Sequence, residues 1–125
     1  MGFLKRLLGG GDGATSGTDE PYVEQRPQVT AWIRLGDATF ENEREQQRTF
    51  ELENRLIAAV QAANAGSYET NDLERGFFGM RILTDDPDRT LEVIRPVLAQ
   101  VPAGSYLTVR RGPEGSSEDR EEIQP

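Results

Sequence analysis

Residues 28–35, QVTAWIRL, alternate without a break: Val29, Ala31, Ile33 and Leu35 on one side, Thr30, Trp32 and Arg34 on the other. A period of two, apolar on one side, marks a strand that buries one face. Gly36-Asp37 ends it. From Glu41 to Asn64 the residues are mostly Glu, Gln, Arg, Leu and Ala, with no Gly or Pro. That composition favours helix. Leu52, Leu56, Ala59, Val60 and Ala63 recur on one side of it, an apolar stripe at the 3.6-residue period. Ala65-Gly66 supplies the stop.

Ser67 to Leu73 reads as a weaker strand, placed at a sheet edge by Glu69, Asn71 and Asp72. Glu74-Arg75-Gly76 turns the chain into a strong strand, Phe77 to Thr84, with Phe78, Met80 and Ile82 on one face and Phe77, Gly79, Arg81 and Leu83 on the other. Asp85-Asp86-Pro87 has the form of a helix start, an acidic cap with Pro in the first turn. Leu91, Ile94, Leu98 and Val101 then predict a helix that Pro96 should bend. After Pro102-Ala103-Gly104, Ser105 to Arg111 alternates again, with Leu107 and Val109 inward.

Strand, helix, strand, strand, helix, strand predicts an α+β domain of the ferredoxin-like βαββαβ type, a four-stranded antiparallel sheet with two helices on one face. The domain spans residues 28–112. Residues 1–27 precede it as a flexible segment with a short amphipathic start. Residues 113–125 follow as an acidic flexible tail, with Glu114, Glu118, Asp119, Glu121 and Glu122 against Arg120.

Composition narrows the chemistry. The 125 residues contain no His and no Cys, which removes the commonest catalytic base, the thiol nucleophile and the usual transition-metal ligands. No metal or other cofactor is expected, and an enzyme is the least favoured class. A net charge of −8 argues against nucleic acid. Arg75-Gly76-Phe77 with Trp32 approaches the aromatic signature of RNA-recognition domains, but Phe77-Phe78-Gly79 puts the second ring on the wrong face. Asp85, Asp86 and Asp88 are better explained as acids at a helix N-terminus than as a calcium site. No apolar run approaches a membrane span, so the cytoplasm is the default location. Phe3, Leu4, Leu7 and Leu8, with Lys5 and Arg6 opposite, are barely two turns. Contact of that segment with a membrane surface ranks below a flexible start or a plug on the sheet.

From about Phe40 to Pro113 the chain resembles a group of small uncharacterised bacterial proteins. The residues that carry the resemblance are Glu43-Arg44-Glu45 with Leu52-Glu53-Asn54-Arg55-Leu56, Asp86-Pro87-Asp88 leading to Arg95-Pro96-Val97-Leu98, and Gly104-Ser105-Tyr106 with Arg110-Arg111-Gly112. The chain departs from the group at Thr70-Asn71, in place of an Asp-Gly turn, and at Arg111, in place of Tyr. The resemblance implies the fold and no activity.

If the helices cover one sheet face, the other carries Trp32, Arg34, Phe77, Arg81, Tyr106 and Arg110, beside Thr30, Leu83 and Thr108. Aromatics and arginines together suit a contact surface. The expected function is a non-enzymatic interaction module, meeting a protein partner or forming a homodimer through this face. The alternative is an anion-binding domain in which Arg34, Arg81 and Arg110 hold a ligand above Trp32 and Tyr106.

Overall fold

The structure is a computed structural model and describes residues 22–123. Strand β1 (Gln28–Arg34) leads to helix α1 (Glu43–Ala63), then β2 (Ser67–Glu74), β3 (Phe77–Leu83), helix α2 (Pro87–Ile94), β4 (Tyr106–Arg110) and β5 (Glu118–Glu122). The strands form one sheet in the order β2-β3-β1-β4-β5, and every neighbouring pair is antiparallel. β1 therefore lies at the centre, with Ala31 opposite both Met80 and Leu107.

The inward residues of β1 and β3 are buried as expected, but Thr30 and Leu83, expected on the open outer face, are buried as well. Val29, Ala31, Ile33, Phe78, Met80, Ile82, Leu107 and Val109 form one core with Leu52, Leu56 and Val60 of α1 and Leu91 and Ile94 of α2. Both helices thus pack on the same face of the sheet. Asn42 caps α1 by accepting from the Glu45 N–H at 2.9 Å. The β1–α1 loop is tied down by the Glu45 carboxylate, which accepts from Gly36 N at 2.6 Å and Asp37 N at 3.0 Å.

Asp86 caps α2 by accepting from the Arg89 N–H. The helix ends at Ile94, followed by tighter turns to Gln100, where a bent continuation was expected. The Arg95 N–H still reaches Leu91 O at 3.0 Å, but Pro96 has no N–H to give Glu92. The turns that follow keep Leu98 and Val101 buried.

The expectation of four strands is corrected to five. The added strand, β5, lies in the acidic stretch expected to stay free of the sheet, and all five of its residues are exposed. Its backbone completes the outer edge of β4, from Tyr106 opposite Glu122 to Arg110 opposite Glu118. Its charges other than Glu118 have ion-pair partners, Asp119 lying 4.0 Å from Arg111. Arg95 clasps Glu121 with contacts of 2.8 and 2.9 Å, and Arg120 meets Glu122 at 3.0 Å. Beyond it, Ile123 packs against the core and its N–H reaches Ser105 O at 3.1 Å.

Candidate functional site

The sheet face away from the helices is built around Trp32. In the register, Trp32 stands opposite Gly79 on one side and Tyr106 on the other. The indole lies over Gly79 so closely that a Cβ there would fall 2.5 Å from Trp32 Cζ3. A missing side chain on β3 thus makes the bed for a large one on β1. Trp32 Nε1 donates to Thr108 Oγ1 at 3.3 Å, which fixes the ring across three strands.

Tyr106 and Phe77 extend this surface. The Trp32 and Tyr106 ring centroids are 6.4 Å apart with planes 27° apart, and Phe77 meets Tyr106 edge-on at 5.3 Å. Such geometry suits the quadrupoles of the rings. Arg120 of β5 places its guanidinium carbon 3.7 Å from the Tyr106 ring centre, a cation over an aromatic face. Trp32, Phe77 and Tyr106 all remain half-buried.

The three arginines expected beside these rings are not brought together. Arg110 stands opposite Gln28 and Arg81 opposite Thr30, while Arg34 is six residues along β1, about 20 Å from the Gln28 end at strand rise. Arg110 is buried, donating from Nε to Gly112 O at 3.0 Å and from one terminal nitrogen to Arg26 O at 2.9 Å. Residues 22–27 close over this corner, and Glu24 O accepts from Glu114 N at 2.8 Å. Arg81 is committed to Asp72 on β2, and its Nε is shielded without a partner. Arg34 is exposed at the end of β1, where Gly104 leaves room for it: a Cβ on that glycine would fall 3.0 Å from Arg34 Cδ.

Two contributors were missed in the sequence. Gly79 had a signal, a lone glycine in a strong strand, but its meaning needed the register that sets Trp32 opposite it. Arg120 had none, because nothing local marks its acidic neighbourhood as a strand. Phe3, Leu4, Leu7 and Leu8 lie outside the described residues. Among the described residues no three His, Cys, Asp or Glu side chains are grouped to hold a metal ion, and no helix is long and apolar enough to cross a membrane. Comparison with family models, curated proteins and solved structures gives no match for the chain.

Proposed function

We propose that this chain is a non-enzymatic interaction module whose outer sheet face meets protein, either a second copy of the chain or another partner. In this reading β1 to β4 and the two helices are a ferredoxin-like βαββαβ unit, extended by β5, and the module works in the cytoplasm. The observation that carries the reading is the ring surface of Trp32, Tyr106 and Phe77, held in place by Gly79, Thr108 and Arg120. Pre-ordered Trp and Tyr rings beside Arg bury much area at little cost in side-chain entropy, the composition that dominates interface energetics. The rival anion-binding reading is disfavoured because Arg110 and Arg81 already serve internal acceptors.

Light scattering at high micromolar concentration tests the self-association form. Trp32→Ala and Phe77→Ser, both on half-buried outer positions, should return associated wild-type protein to monomer. Trp32→Ala should cost roughly tenfold or more in affinity, as for an interface anchor. A monomeric wild-type chain would remove self-association. If the variants stay as associated as the wild type, the contact surface is elsewhere and the reading of this face falls.

A further inference from the structure

Among the described residues, the arginines without an ion-pair or hydrogen-bond partner are not scattered. Every cationic side chain among the described residues is an arginine. Arg26, Arg81, Arg95, Arg111 and Arg120 pair with carboxylates, and Arg89 and Arg110 donate to backbone carbonyls. Of the rest, Arg34, Arg48 and Arg55 line one groove of about 520 Å³ between α1 and the turns after α2. Arg44 lies next to it, in a smaller hollow that shares Glu45 and Arg48. Only Arg75, on the β2–β3 turn, is apart.

Arg48 and Arg55 are seven residues apart on α1, two turns along the same side. Arg34 comes from the end of β1. Ile33, Leu52, Val97 and Val101 supply apolar walls, and Thr49 and Gln100 add a hydroxyl and an amide. Two acids also line the groove. The Glu45 carboxylate is held by the N–H groups of Gly36 and Asp37 and Glu51 pairs with no arginine, so three guanidiniums against two carboxylates leave the groove a net positive charge. Guanidiniums in a net positive groove, none of them ion-paired to a groove acid, favour an added anion. The planar guanidinium fork matches phosphate and carboxylate oxygens, and a groove of this size accommodates a small molecule.

We infer that this groove binds a small organic anion, a phosphate or carboxylate group on an apolar body, with Arg34, Arg48 and Arg55 on the charged end and the Leu52–Val97–Val101 wall on the other. The site is separate from the Trp32 face, so it stands or falls independently of the interaction reading. The test is an NMR titration of the full chain with phenyl phosphate and with benzoate, with inorganic phosphate as the probe that lacks an apolar body. Saturable shifts centred on Thr49, Leu52, Val97 and Gln100 are expected from one or both aromatic probes, and weaker binding from phosphate alone; whichever aromatic probe binds tighter identifies the head group. Arg48→Gln and Arg55→Gln, both at exposed helix positions, should each weaken binding roughly tenfold, the loss of one charge-assisted contact. Arg75→Gln and Trp32→Ala should leave it unchanged. Shifts that do not saturate, or that fall as much in Arg75→Gln as in Arg48→Gln, would overturn the proposal.

Discussion

Gly79 and Gly66 both resist a side chain, for different reasons and with different readouts. A methyl group on Gly79 must push the Trp32 indole off the sheet, whereas one on Gly66 meets Ile82 Cγ2 and Leu83 O at 2.8 Å in a backbone already at φ 141°. Both Gly79→Ala and Gly66→Ala should lose about 1–3 kcal/mol of stability, the usual cost of an intruding methyl group. Only Gly79→Ala should shift the emission of Trp32, the one tryptophan of the chain, toward that of a solvent-exposed indole. Equal emission spectra for the two variants would mean that Gly79 does not seat the ring. At this scale the sequence was legible where one residue decides its own fate, as with Asp86 capping α2. It was not legible where a residue's meaning lies across a strand pair, as for Gly79.

β5 shows the same limit for a whole element. Residues 118–122, EDREE, have no apolar residue, no alternation and little intrinsic preference for a strand. What orders them lies outside the segment: the free edge of β4, the Arg95 fork and the Tyr106 ring. β1 and β3, by contrast, were readable because their alternation records which face is buried. Removing residues 114–125 should bare the β4 edge and the Ile123 contact, lowering stability by about 1–3 kcal/mol and Tm by several degrees. Amides of β4 that face β5 should then exchange faster in hydrogen-exchange measurements. Arg95→Ala should cost under about 1 kcal/mol, since the Arg95–Glu121 pair is half exposed on both sides. An unchanged Tm after truncation would show that the strand adds nothing to the fold.

For the whole molecule, carboxylates that folding holds in the charged form shape the response to pH. Asp37 sits below the usual carboxylate range, because the Thr39 hydroxyl and N–H and the N–H of Glu41 hold its charged form. Glu24 is lowered chiefly by the Arg26 N–H. A carboxylate lowered by folding stabilises the fold above its unfolded value, about 4, and that gain is lost as pH falls through the lower folded value. Tm should therefore drop in acid below about pH 4, and less steeply in Asp37→Asn than in the wild type. Parallel Tm profiles for the two would remove Asp37 from the acid response. That every cation among the described residues is an arginine has a different consequence. Residues 22–123 offer no primary amine on any side chain, and Lys5 is the only lysine of the chain. Acylating dyes, biotin esters and isopeptide-forming cross-linkers therefore have no lysine to attack on the sheet face or in the groove, and a label placed through Lys5 leaves both surfaces chemically untouched.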